Sequence, residues 1–268
     1  SNFPQYYLYK VNLQKLMLLL LTLFVLLQVI STMGKKWFPL ESNPALLNSF
    51  IAKLGFDTSI YSFTDVFSTE DWALDMIPQG TTAVVFLYPL TKVQEDHRSS
   101  EQEELIKQEI DQSVWHIKQR IGNACGTIGI LHALANIPDS LKVAAISENS
   151  WLDKFYNACP TSMSSIEKAE VLENDDDIAT KHDAATQDSQ NQTSRGQLED
   201  KLETHFVALV NVNGKVYELD GRKEKPVCHG DTKEETFLKD AASVVQKFMN
   251  RDPGEMRFTI LAFAPTQN

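Results

Sequence analysis

Cys125 stands two residues after Asn123, at the head of a segment that carries Ile128, Leu131, His132 and Ala135 at helical spacing. That pattern predicts a helix over residues 124–136, with Asn123 as its N-cap and the sulfur in the first turn. Exposed N–H groups and the positive end of the helix dipole lower a thiol's pKa there, which makes thiolate available near neutral pH. Cys159 and Cys228 lack such a setting and read as incidental.

A thiolate that attacks a carbonyl needs a base and an oxyanion donor. Residues 205–212 read as a strand, and Asn213-Gly214, a strong two-residue hairpin signal, leads into Lys215-Val216-Tyr217-Glu218-Leu219-Asp220. With Asn213 and Gly214 as the loop, Val212 faces Lys215 and Asp220 falls opposite Val207. His205 shares a face with Val207, so His205 and Asp220 become diagonal neighbours with α-carbons about 7–8 Å apart. This suits a base and the carboxylate that orients it. On the hairpin alone, a purely structural His–Asp contact has equal standing. Gln119, six residues before Cys125, is a candidate oxyanion donor together with the Cys125 N–H. Its spacing alone is a weak signal, because a glutamine ahead of a helix is usually solvated.

These residues must be positioned by a folded domain. Asn43-Pro44 predicts a helix start, with Leu46, Leu47, Phe50, Ile51 and Leu54 on one face and an end near Gly55. Residues 83–90 read as a buried strand, residues 101–111 as a helix, 234–250 as a helix and 258–264 as a last buried strand. Residues 161–204 differ in kind, with eleven acidic side chains against four basic ones. The middle of this stretch, 181–197, has almost no large apolar residue, and its composition reads as a mobile loop.

The chain has 268 residues, 43% apolar and 23% charged, a globular composition that excludes collagen and wholesale disorder. Its net charge of −11, without a basic patch, argues against a nucleic-acid partner. Three cysteines are too few and odd in number for a disulfide framework and suit a reducing compartment. No His/Cys cluster has zinc-site spacing. Residues 16–30 form an apolar run preceded by Lys10 and Lys15. The run is short for a membrane span and reads as an extension ahead of Met33, a membrane-associating helix or a signal sequence. The domain reading is thus a leader at 1–32 and a catalytic domain at 33–268.

Residues 119–129, Gln-Arg-Ile-Gly-Asn-Ala-Cys-Gly-Thr-Ile-Gly, resemble the active-site signature of the ubiquitin C-terminal hydrolase family of thiol proteases. His205-Phe206 with Tyr217-Glu218-Leu219-Asp220-Gly221-Arg222 is similar to that family's second signature. Residues 37–44 and 226–230 resemble its amino-terminal and post-hairpin segments, and the likeness runs from about Met33 to Ala264, closest to short single-domain members.

The resemblance implies a papain-like α/β (α+β) fold, with a mainly antiparallel central sheet flanked by helices and a knotted path. It implies Cys125 as nucleophile, His205 as general base and then acid, Asp220 as its orienter, Gln119 as oxyanion stabiliser and Glu41 as a contact for ubiquitin. It makes 161–204 the segment that contains a crossover loop above the site. The expected activity is release of small adducts or short peptides from the C-terminal glycine of ubiquitin, or of a closely related modifier, through an acyl-enzyme thioester. No cofactor or metal is expected, and ubiquitin's basic tail is the expected partner of an acidic enzyme. A monomer in the cytoplasm, or also the nucleus, is expected, with membrane association or secretion only if residues 1–32 act as anchor or signal. Two other readings stand beside it: a ubiquitin-binding or ubiquitin-stabilising protein with low turnover, and a papain-like hydrolase or transferase for an unrelated small amide.

Overall fold

The computed structural model describes residues 34–105, 107–188, 197–198, 200 and 202–267, so the leader at 1–32 lies outside the described residues. Helix α1, Pro44–Leu54, begins as the sequence predicts. The Asn43 side chain accepts from Ala45 N at 2.9 Å and Leu46 N at 3.3 Å, Pro44 opens the first turn, and Gly55 closes the helix in the left-handed conformation. Strand β1, Tyr61–Asp65, the short helix α2, Asp71–Leu74, and β2, Ala83–Pro89, follow.

Helix α3 spans Lys92–Leu105, not the predicted 101–111. No apolar stripe announces it, because polar anchors hold it in place. Gln94 is buried and donates to Phe248 O at 2.7 Å, while Glu95 pairs with Arg222 and Glu101 with Lys223. Beyond the helix, the Gln108 side-chain amide pairs with both backbone groups of Cys228, at 2.8 and 2.9 Å, so this stretch serves a strand edge instead of continuing the helix.

Helix α4, Cys125–Ala135, is buried at every residue, the mark of a central helix. Ile130, Leu131 and Leu134 are completely covered, and truncating any one to Ala costs about 2–5 kcal/mol. Helices α5, Asp139–Ala145, α6, Trp151–Ala158, α7, Ser165–Glu173, and α8, Asp176–Thr186, come next. The last two correct the reading of the acidic stretch. Ser164 and Glu167 form a reciprocal capping box, and Asp175 caps α8. Ile178, His182 and Ala185 make a buried stripe, so 181–186 complete a helix although few of their side chains are apolar. Of the rest of the predicted loop, residues 189–196 lie outside the described residues.

Strands β3, Thr204–Val212, β4, Lys215–Leu219, and β5, Val227–Asp231, helix α9, Phe237–Arg251, and strand β6, Thr259–Pro265, complete the chain. The six strands form one antiparallel sheet in the order β1-β6-β2-β3-β4-β5. Alternation along the strands divides the core. Val85, Phe206, Ala208, Leu261 and Phe263 face the cluster built on α1, α4 and α6–α8, whereas Val84, Phe86, Val207, Leu209 and Ala262 face α9. Sheet and helices are thus the mixed α/β architecture expected. Among the described residues, no helix is long and apolar enough to cross a membrane.

Candidate active site

The β3–β4 hairpin has the register that its turn demands. Asn213 and Gly214 both take positive φ, 51° and 74°, and Val212 pairs with Lys215 and Ala208 with Leu219. The pairing ends at Ala208 and Leu219, and from the residue just past β4 Asp220 Oδ1 meets His205 Nε2 at 2.7 Å. Both side chains are almost fully buried, at 4% and 1% exposure. Asp220 Oδ1 also accepts from Arg222 N at 2.8 Å, and Arg222 in turn holds Glu95 of α3 at 2.9 Å.

Cys125 is the first residue of α4 and is buried, with its thiol near enough to His205 to feel the imidazole's charge. With Nε2 committed to Asp220, the ring nitrogen left for the sulfur is Nδ1. Asn123 is not the N-cap: that position belongs to Ala124, without a side-chain cap, and Asn123 sits one residue earlier in the left-handed region at φ 61°. The first-turn N–H groups therefore face the site uncapped by a side chain.

Burial by itself would raise the Cys125 thiol, but the His205 hydrogen bond and charge, with backbone N–H groups of Phe206 and Gly126, hold it below its ordinary value. Burial would likewise lower His205. The Asp220 charge and hydrogen bond, joined by Cys125, outweigh it and raise the imidazole to about 9. Asp220 is held well below the carboxylate range, because His205 and the Arg222 N–H outweigh its own burial. Each shift favours a thiolate–imidazolium pair beside an ionised carboxylate.

Gln119 is held against the second motif. Its N–H donates to Gly221 O at 2.8 Å, and a Cβ on Gly221 would come within 2.9 Å of Gln119 Cβ and 2.8 Å of Ile128 Cγ2. Its side-chain Nε2 donates to Ile121 O at 3.1 Å, and the residue is half-buried instead of solvated. The segment before α1 runs along the same loop, with Trp37 N donating to Gly122 O at 2.9 Å, and Glu41 follows within it, half-buried.

This constellation accompanies a clear likeness in sequence. The family profile described as "Ubiquitin carboxyl-terminal hydrolase, family 1" matches residues 37–250. The chain belongs to that family. It is 38% identical over 234 residues to ubiquitin carboxyl-terminal hydrolase 3 of Arabidopsis thaliana, covering 87% of this chain and 96% of the relative. It is 39% identical over 224 residues to the human ubiquitin carboxyl-terminal hydrolase isozyme L1, covering 84% and 96%. In fold it is similar to the Trichinella spiralis UCH37 catalytic domain, solved bound to ubiquitin vinyl methyl ester. The TM-score is 0.66 at 20% identity, over 88% of this chain and 99% of that one. The chain is accordingly a cysteine-type hydrolase with the papain-like fold of the ubiquitin C-terminal hydrolases.

Around the site, sequence reasoning missed a layer of support that this family member carries. His116 Nε2 donates to Asp220 O at 3.1 Å and stacks on His132 with centroids 5.0 Å apart. Burial lowers His116 to about 4 and His132 well below its ordinary value, so both rings stay neutral and brace the loops as hydrogen-bonding wedges. Tyr88 faces His205 edge-on at 5.8 Å from the neighbouring strand. Neither contact has a signal in local spacing, since each depends on pairings far apart in the chain. Cys159 is wholly buried, and burial pushes its thiol up to about 11, as suits an inert core sulfur. All three cysteines are free thiols. Among the described residues, no His/Cys/Asp/Glu group is arranged to hold a metal.

Proposed function

We propose that the chain hydrolyses small adducts or short peptides from the C-terminal glycine of ubiquitin, with Cys125, His205, Asp220 and Gln119 as its catalytic set and Glu41 as a ubiquitin contact. The carrying observation is the buried His205–Asp220 contact at 2.7 Å with the Cys125 thiol beside it at the head of α4. The Cys125 thiolate attacks the carbonyl carbon of the terminal glycine, and the oxyanion that forms is held by Gln119 Nε2 and the Cys125 N–H. Imidazolium His205 gives its proton to the leaving amine or alcohol, and the C–N or C–O bond breaks to leave a thioester. Neutral His205 then takes a proton from water, whose hydroxide adds to the thioester and releases the free glycine carboxylate and the thiolate.

Asp220 keeps the imidazole oriented through both halves and stabilises it whenever it carries the proton. The His205–Asp220 pair is formed without substrate, which supports turnover over a purely ubiquitin-binding role. Seven of the eleven excess negative charges lie in residues 161–204, and this acidic stretch suits attraction of ubiquitin's arginine-bearing tail, an effect that fades with salt. A fluorogenic ubiquitin amide tests the reading. Wild type turns it over and Cys125→Ala does not, whereas tight ubiquitin binding without turnover by either protein would overturn it.

A further inference from the structure

Two buried polar atoms in the loop before the nucleophile have no hydrogen-bond partner among the described residues: Gln119 Oε1 and Asn123 Nδ2. One is an acceptor, the other a donor, and neither reaches water. A buried polar atom left without a partner forfeits its hydration, so such atoms are rare unless the site uses them. Asn123 is also one of only three non-glycine residues described with positive φ, at 61°, and it lies two residues before Cys125. Asparagine tolerates this conformation, and strained positions of this kind gather at functional sites.

Gln119 already spends one Nε2 hydrogen on Ile121 O. Its amide must present nitrogen, not oxygen, to a developing oxyanion, and an amide held at one end only can turn over. A donor on the Oε1 side would fix the orientation. We propose that Asn123 is a positioning residue for Gln119: its Nδ2–H bonds Gln119 Oε1 as the site closes on substrate, locking the Gln119 amide with its second Nε2–H toward the oxyanion. The pairing satisfies both orphan atoms at once and makes the residue two before the nucleophile part of the apparatus six before it. This rests on the reading of Gln119 as oxyanion donor given above.

The test is a double-mutant cycle with a spectroscopic arm. Asn123→Gly keeps the left-handed backbone available, so folding is retained. It is expected to lower kcat on a ubiquitin amide about tenfold, the weight of one neutral hydrogen bond, with KM little changed. Asn123→Asp, which puts only acceptors there, falls at least as far. In a Gln119→Ala background, Asn123→Gly has no further effect. Independently of turnover, the Gln119 side-chain amide resonances, observed by ¹⁵N NMR in a Gln-labelled protein saturated with an electrophilic ubiquitin probe, shift and broaden in Asn123→Gly. Unchanged kcat, a tenfold loss that persists without Gln119, or Gln119 amide signals identical in both proteins would overturn the proposal. Failure of the functional reading looks different: wild type itself would neither hydrolyse the ubiquitin amide nor be captured by the probe, and the loop would then have no oxyanion to serve, which overturns the positioning role as well.

Discussion

Gln119 donates its backbone N–H to Gly221 O at 2.8 Å, so the motif that carries Cys125 and the motif that carries Asp220 lie directly side by side. The residue at 221 has no room for a methyl group, since its Cβ would meet Gln119 and Ile128 at under 3 Å. Gly221→Ala must therefore push the two motifs apart. The expected result is a destabilisation of about 1–3 kcal/mol by urea unfolding, together with a fall in kcat/KM larger than Cys159→Ala produces. An Ala variant as stable and active as wild type would show that the contact is not needed.

The ionisation of the Cys125–His205 pair sets a pH profile. His205 is raised above its unfolded value of about 6.5, to about 9. Its contribution to stability is therefore complete below the unfolded value and lost as pH rises through about 9. Asp220 is lowered, so its contribution is present above its unfolded value and lost as pH falls through the folded one. In kcat/KM, the alkaline limb is expected near pH 9. In Asp220→Asn that limb moves to lower pH and the plateau drops by roughly 10²–10⁴-fold. An alkaline limb that stays in place in the variant would break the link between Asp220 and the imidazole.

His182 ties the acidic segment to the rest of the domain through α8. One ring nitrogen meets Phe38 O at 2.6 Å and the other Thr127 Oγ1 at 2.8 Å, with Trp37 packed on the ring at 4.4 Å. His182→Leu keeps the volume but strands both polar partners. A loss of about 2–4 kcal/mol in chemical denaturation is predicted, and limited proteolysis should speed up within 176–186. Equal stability and equal protease resistance would contradict this anchoring role.

Lys223 and Glu218 form an ion pair at 2.6 Å with both side chains essentially buried, and Lys223 also reaches Glu101 of α3 at 2.6 Å. Burial would raise Glu218, but Lys223 and His229 lower it to about 2. Lys223→Met leaves a buried carboxylate short of a cation, and about 3–5 kcal/mol should be lost at neutral pH. The double variant Lys223→Met with Glu218→Gln should recover part of that loss. No recovery in the double variant would place the effect elsewhere.

What was legible in the sequence follows physical lines. His205 and Asp220 could be brought together on paper because a two-residue Asn-Gly loop dictates register, and register dictates which side chains share a face. Helix α1 was equally plain, with a cap, a proline and a left-handed glycine in order. Asn123 was misread because its composition signals a cap while its backbone turns left-handed one residue too early. Helix α3 was misplaced because Gln94, Glu95 and Glu101 are held by partners more than a hundred residues away. In α8, Ile178, His182 and Ala185 suffice to bury a face in a stretch whose overall composition looks like loop. The bond from His116 to Asp220 O and the stacking of His132 behind it have no trace in the sequence for the same reason, since they exist only in three dimensions.

The central claim is that Cys125 is the nucleophile that attacks the terminal carbonyl of ubiquitin. Treating the full chain with ubiquitin that carries an electrophilic C-terminus, followed by peptide mass spectrometry of the adduct, tests it most directly. A single ubiquitin attached at Cys125, absent in Cys125→Ala and slowed in His205→Ala, is the predicted result. Attachment at Cys159 or Cys228, or no adduct in a folded protein, would contradict it.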